Sequence, residues 1–137
     1  MSLFNVFEIA GSAMSAQSIR MNTTASNMAN VDSVSSSIGQ TYRARHPIFE
    51  TVFNDAMDKT VSSGVRVTGI VESQAELRKQ YLPAHPQADE QGYVFYPNVN
   101  PIEEMTNMIS ASRSFQNNVE LINSSKQMLL QTLRMGQ

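Results

Sequence analysis

Apolar residues recur every seven positions at both ends of the chain. Phe7, Met14, Met21 and Met28 form one row, and Met108, Phe115, Ile122 and Leu129 form another. The companion positions read Ala10, Gln17 and Thr24 in the first set, and Met105, Ser112, Val119, Lys126 and Leu133 in the second. A sustained seven-residue apolar repeat marks one face of a long helix, and that face needs another surface to cover it. The pattern predicts two long helices, over about residues 3–30 and 101–135, each roughly 40–50 Å long at 1.5 Å per residue. Asn100 can cap the second, Pro101 suits its first position, Glu103 can reach back in a capping box, and Gly136 is placed to end it. Asn22, Thr23 and Thr24 are poor helix formers, so the middle of the first helix depends on packing.

Between the helices the period changes. Residues 32–40 (DSVSSSIGQ) read as a Ser-rich flexible loop. Residues 42–53 end in the apolar-rich PIFETVF, and Val65 to Thr68 alternate apolar and polar as a half-buried strand does. Gly69, Ile70 and Val71 break that alternation, which fits a bulge or the end of pairing. Residues 78–82 and 93–96 read as two further strands joined by the Pro- and Gly-containing PAHPQADEQG. The expected fold class is therefore α+β: long N- and C-terminal helices pairing as a coiled-coil-like bundle around a small β-rich middle segment. The expected division is residues 1–31, 32–41, 42–98 and 99–137.

Charge sharpens this picture. Only 16% of the 137 residues are charged, against about 25% in ordinary soluble domains. The deficit lies in the helices: Arg20 is the only ionised side chain from Ile9 to Val31, and Arg113 and Glu120 are the only two from Met105 to Ser125. Where an exposed helix carries Glu, Lys and Arg, these carry Ser15, Ser18, Asn22 and Ser26, then Asn107, Ser110, Ser114 and Asn117. Small uncharged polar groups can be buried against a neighbour, so several sides of each helix are expected to pack in an assembly. A net charge of −2 carries no basic stripe for nucleic acid. No run reaches the ~18 apolar residues of a membrane span, so no direct membrane insertion is expected. No basic leader precedes an apolar core at the start, where Glu8 interrupts, so export without a cleaved signal is expected.

Chemistry is sparse. Cysteine is absent, and His46 and His85 each precede a proline, which favours extended loop backbone. Zinc spacing, a phosphate loop, a dinucleotide fingerprint and a nucleophile elbow are all missing, so no catalytic residue, cofactor or metal is expected. Glu103 and Glu104 point about 100° apart on a helix and suit its positive end better than acid–base work. Of the nine methionines, three lie at heptad positions of the first helix and two more start the seam of the second, where pliable packing explains them.

Specific strings carry a resemblance. ASNMANVDS (residues 25–33), closing a helix that contains SAMSAQSIRMN, resembles the N-terminal signature of the bacterial flagellar axial proteins, matched here by Ala25, Asn27, Met28, Ala29 and Asn30. YRARHPIFE (42–50), GYVFYPNVNPIEEM (92–105), SASRSFQNNVE (110–120, with Arg113) and LLQTLRMGQ at the end are similar to the C-type subunits of the proximal rod. Many axial proteins follow the asparagine motif with T-x-G-Y; the longer Ser-rich loop before Tyr42 departs from that and matches the C-type branch.

The resemblance implies a structural subunit of the basal-body rod, exported by the flagellar type III apparatus and polymerising in the periplasm. Expected partners are other copies, other rod proteins, the base of the rod and the export apparatus. Seam and assembly contacts are expected from Phe7, Met14, Met21, Met28, Met105, Met108, Phe115, Val119, Ile122, Leu129 and Leu133. Contacts between subunits are expected from Ala25, Asn27, Ala29, Asn30 and Arg113, with Asn30 also able to cap its own helix. Two other classes share the lack of cysteine and the helical seams or the small size: a secreted coiled-coil translocator or adhesin, and a small periplasmic enzyme such as a cell-wall hydrolase.

Overall fold

A computed structural model describes residues 3–53 and 63–136. Helix α1 spans Leu3–Ala29, strands β1 and β2 span Arg45–Phe53 and Ser63–Glu72, β3 and β4 span Arg78–Tyr81 and Tyr93–Tyr96, and helix α2 spans Pro101–Met135. The two helices have 27 and 35 residues.

The strands form two separate antiparallel ribbons, β1 with β2 and β3 with β4. In the first, Ile48 opposes Gly69 and Phe49 opposes Val67, so Thr68 is the extra residue of a bulge. The break in alternation thus marks a bulge, after which pairing continues to Arg45 opposite Glu72. In the second ribbon Arg78 opposes Tyr96 and Tyr81 opposes Tyr93. Gly92 leads into β4 at φ +81°, where only glycine is unstrained. A Cβ there would lie 2.9 Å from the Tyr81 ring and 3.1 Å from Pro83.

The Ser-rich segment is anchored rather than free. Ser35 exchanges two backbone hydrogen bonds with Phe95, at 3.1 and 3.0 Å, adding a bridge to the outer edge of β4. Buried Ser35 and Thr41, and the Thr41 hydroxyl donating to Ser37 O at 2.8 Å, hold the rest. A β4 edge with two open backbone groups gives this polar loop a partner that its composition does not reveal.

Helix α2 starts on Asn100, whose side chain accepts from Ile102 N at 3.1 Å, with Pro101 following. The cap bond falls one residue earlier than in a Ser/Thr capping box, and among the described residues Glu103 makes no reciprocal side-chain bond. Glu103 is exposed while Glu104 beside it is buried, as their angular separation requires.

Helix α1 is covered on two sides, packing against α2, β1 and β2. Asn27 and Ser12 reach the first ribbon. The arc holding Phe7, Ala10, Met14, Gln17, Met21, Thr24 and Met28 is buried or half-buried and falls to α2. On α2 the inward arc joins Met108, Phe115, Ile122 and Leu129 to Glu104, Ala111, Asn118 and Ser125. The companion row therefore lies one residue earlier than the apolar pattern indicates. Met105 and Leu133 are 52% and 62% exposed, and Lys126 is exposed, while Val119 and Ser112 are half-buried at the margin. Small side chains such as Ala111 and Ser125 let two helices approach closely, and they carry too little hydrophobicity to register in the repeat.

The buried set is thin. The largest fully buried side chains are Val94, Asn27, Pro97 and Ser125, with no large aliphatic or aromatic among them. Gln17 Oε1 is buried on the seam with no protein hydrogen-bond partner among the described residues.

Candidate assembly interface

The end of α1, the start of β1 and the start of α2 meet at one polar joint. Asn27, 0% exposed, accepts at Oδ1 from Arg45 N at 2.9 Å and from the Tyr42 hydroxyl at 2.8 Å. Its Nδ2 donates to Arg45 O at 2.9 Å. The amide thereby behaves as one more rung of a β-ladder, pairing with both backbone groups of Arg45. Its position on the buried side of α1 spends it inside the chain, where it is not available to a neighbouring subunit.

A second asparagine works the same way. Asn98 Oδ1 accepts from Ala44 N at 2.8 Å, and its Nδ2 donates to Ala75 O at 2.9 Å. Arg43 Nη1 adds bonds to Ser73 O and Ala75 O at 3.1 and 3.3 Å. Farther along α1, Ser12 Oγ accepts from Val65 N at 3.1 Å while donating to Ile9 O at 2.8 Å. Helix α1 thus grips the first ribbon at β1 through Asn27 and at β2 through Ser12, about 22 Å apart. Arg20 Nη2 donates to Asn107 Oδ1 at 2.9 Å and ties the two helices near the joint.

Burial pushes the Tyr42 phenol above its ordinary value, Arg45 opposes this, and Glu104 and Glu72 add to it. Glu104, 3% exposed in the first turn of α2, therefore lies close to the Asn27–Tyr42 pair. Arg45 stacks 5.4 Å over the Tyr42 ring and meets Glu72 at 3.2 Å, an exposed ion pair of little energetic weight. Sequence reasoning missed Ser12, Tyr42, Asn98 and Glu104. Their signal was a polar side chain beside a strand or helix boundary, which is where unpaired backbone groups occur.

Of the remaining motif residues, Met28 lies on the inward arc, while Ala25, Ala29 and Arg113 face outward. Ala25 and Ala29 are exposed on α1. Asn30 Nδ2 donates to Ser26 O at 2.8 Å and its backbone carbonyl accepts from Ser33 Oγ at 2.8 Å, so it closes its own helix. Arg113 is exposed on α2 beside Ile109, Ser110 and Asn117 and has no ion pair among the described residues. Large apolar side chains crowd the outer faces: Phe4 is 74% exposed and Ile102 75%. The open cleft of about 590 Å³ beside the joint is lined by serines, Tyr42, Arg43, Arg45 and Glu72, whose polar groups are already engaged with one another or the backbone. Among the described residues there is no group of three His, Asp or Glu side chains placed to hold a metal, and no helix is long and apolar enough to cross a membrane.

Two family profiles match the chain. One, described as flagella basal body rod protein, matches residues 7–35, and the other, flagellar basal body rod FlgEFG protein C-terminal, matches residues 90–135. The first covers α1 from Phe7 and the loop as far as Ser35, and the second covers β4 and α2, leaving the first ribbon outside both. A joint of asparagine clamps carrying two thinly covered helices is thus the framework of a flagellar rod protein.

Along its whole length the chain is similar to individual members. It is 49% identical to flagellar basal-body rod protein FlgC of Salmonella typhimurium and 50% identical to that of Yersinia enterocolitica, over 100% of both chains in each case. The FlgC of Borreliella burgdorferi is 37% identical over 97% of both. The chain belongs to the FlgC family of flagellar basal-body rod proteins, a family of structural subunits and not of enzymes. These relatives lend no support to the translocator, adhesin or hydrolase readings.

Proposed function

We propose that this subunit joins copies of itself and other rod proteins in the proximal, periplasmic part of the rod, a tube that transmits torque and encloses the export channel. In this reading residues 1–31 and 99–137 form the axial core, 32–41 a connecting loop, and 42–98 a β-rich knob. The chain leaves the cytoplasm through the type III apparatus and meets the base of the rod on assembly. The helices pair as a coiled coil in the polymer. Phe7, Met14, Met21, Met28, Met108, Phe115, Val119, Ile122 and Leu129 pack the seam. Met105, Leu133, Ala25, Ala29 and Arg113 face neighbours.

The observation that carries this is the set of large apolar side chains on the outside of both helices, with Phe4, Ile102 and Met135 at 74%, 75% and 83% exposed. Apolar groups that find no cover within the chain gain roughly 25 cal/mol for each Å² buried against a neighbour. A thin intrachain core also leaves helix order dependent on that neighbour, which suits passage through a narrow channel before assembly. The test is quantitative mass spectrometry and electron microscopy of isolated basal bodies. The chain should be a stoichiometric component of the proximal rod, and chains lacking residues 1–30 or 105–137 should be absent from it. Complete rods without this chain, or rods built normally from either truncated chain, would overturn the reading.

A further inference from the structure

Helix α1, strand β1 and the first turns of α2 border an open cleft of about 330 Å³. Arg20 and Thr24, one turn apart on α1, form one wall, Asn107 of α2 a second, and Pro47 and Phe49 of β1 a third. Among the described residues no Asp or Glu lines it.

The groups around this cleft are donors short of acceptors. A guanidinium carries five N–H donors. Half-buried Arg20 makes one bond, to the neutral Asn107 Oδ1 at 2.9 Å, and no ion pair among the described residues. Thr24 is 5% exposed, and its hydroxyl bonds no other group among the described residues. Asn27 takes both backbone groups of Arg45, so alternate residues of β1, Pro47 and Phe49 among them, turn their backbone groups away from β2. Val65, opposite Thr51, turns its N–H outward to Ser12 in the same phase. The Phe49 N–H is therefore an open donor on the edge that borders the cleft. Pro47 has no N–H and Arg45 is already engaged, so this edge does not receive a strand.

The acids nearby are committed elsewhere. Glu72 pairs with Arg45 and Glu50 with Arg66, both at 3.2 Å, and buried Glu104 lies close to Tyr42. Arg45 also lines the cleft, but its guanidinium is held by Glu72 and the Tyr42 ring. Arg20 is the cation left without a counter-ion, and a partly desolvated charge gains most from one.

We propose that this cleft is a carboxylate-binding site, which takes an acidic side chain of another polypeptide with Arg20 as its anchor. The planar guanidinium fork matches the two oxygens of a carboxylate. The Thr24 hydroxyl and the Phe49 N–H supply donors for the remaining lone pairs, and Pro47 and the Phe49 ring give the methylene stem an apolar wall. A cleft of this volume admits one side chain and not a helix about 10 Å across. The inference goes beyond the rod reading and does not depend on it, because binding is read on the full-length chain in solution.

The test is a nuclear magnetic resonance titration of the full-length chain with N-acetyl-glutamic acid amide at constant ionic strength, following the Arg20 Nε–H and the Phe49 amide. Both should shift together and saturate with a Kd of about 1–10 mM. N-acetyl-glutamine amide, the same shape without the charge, should bind at least about tenfold more weakly. Arg20→Gln should abolish saturation at Phe49, and Arg20→Lys, which keeps the charge and loses the fork, should restore only part of the affinity. Arg20 also holds Asn107, so Thr24→Val serves as a second variant: it leaves that bond in place and should weaken glutamate binding about threefold or more, with unchanged helical circular dichroism. No saturable shift, equal binding of the glutamine probe, or unchanged binding in Thr24→Val would overturn the proposal. Inorganic phosphate bound more tightly than the glutamate probe would overturn the assignment to a protein carboxylate.

Discussion

Replacing Asn27 by alanine removes the fixed point between helix and ribbon. Three hydrogen bonds of 2.8–2.9 Å are lost. At about 1 kcal/mol net for each, the direct loss is about 3 kcal/mol. Both backbone groups of Arg45 and the Tyr42 hydroxyl are also left facing the space vacated by a side chain that was 0% exposed. Any of them that stays dry raises the cost, so a total of about 3–5 kcal/mol is expected. Asn27→Asp is the sharper variant. It keeps the shape and the acceptor for Arg45 N, but sets a carboxylate oxygen against the Arg45 carbonyl where the Nδ2 donor stood. Asn30→Ala removes one exposed bond to Ser26 O and should cost well under 1 kcal/mol. The assay is urea denaturation followed by circular dichroism, with amide exchange at Arg45 as the local readout. An Asn27→Ala chain within 1 kcal/mol of wild type, with Arg45 still protected, would refute the clamp.

Three further outcomes are expected. Gly92→Ala should destabilise the β3–β4 ribbon by about 1–2 kcal/mol or more in thermal melts, since it combines a positive φ with a contact of 2.9 Å to Tyr81; an unchanged melting temperature would contradict the geometry. Asn100→Ala should cost about 1 kcal/mol in the same assay through loss of the cap on Ile102 N, whereas Asn100→Ser should recover most of it. Because the folded phenol of Tyr42 titrates above the unfolded one near 10, its stabilising contribution is complete below pH 10 and is lost as pH rises through the folded value. The difference between ultraviolet titrations of wild type and Tyr42→Phe should then place the Tyr42 phenol above its ordinary value, and a Tyr42 titration at or below that value would refute this.

The parts of the fold that were legible are those where local chemistry and tertiary packing agree. Helix α1 ends at Ala29, one residue before the expected boundary, and α2 starts at Pro101 because the Asn–Pro pair leaves little alternative. The strand positions followed from β-branched and aromatic runs between turn residues. What was not legible depended on partners distant in sequence. Asn27 sits 18 residues from Arg45, and nothing local shows whether its amide turns toward its own chain or another. The companion row of α2 was hidden because Ala111, Asn118 and Ser125 are small or polar, and a search for hydrophobic repeats selects Met105, Val119 and Leu133 instead. The Ser-rich loop was misjudged for a related reason: its order comes from the edge of β4, not from its own residues.

The distribution of burial separates two tasks within one small chain. Geometry is set by polar groups: Asn27, Asn98 and the Arg20–Asn107 bond fix the ribbon and both helices at a joint of directional bonds, and Ser12 holds β2 farther along α1. Cohesion is only partly filled, since Phe4, Ile102 and Met105 face outward and the seam interleaves its half-buried Phe, Met, Ile and Leu side chains with Ala, Thr, Ser and Gln17. A hydrophobic core could stabilise the monomer, but it would spend inside the subunit the apolar surface a polymer needs between subunits. A directional joint with thinly covered shafts resolves that conflict, because polar bonds set the angles between ribbon and helices while much of the apolar surface of the helices stays uncovered within the chain.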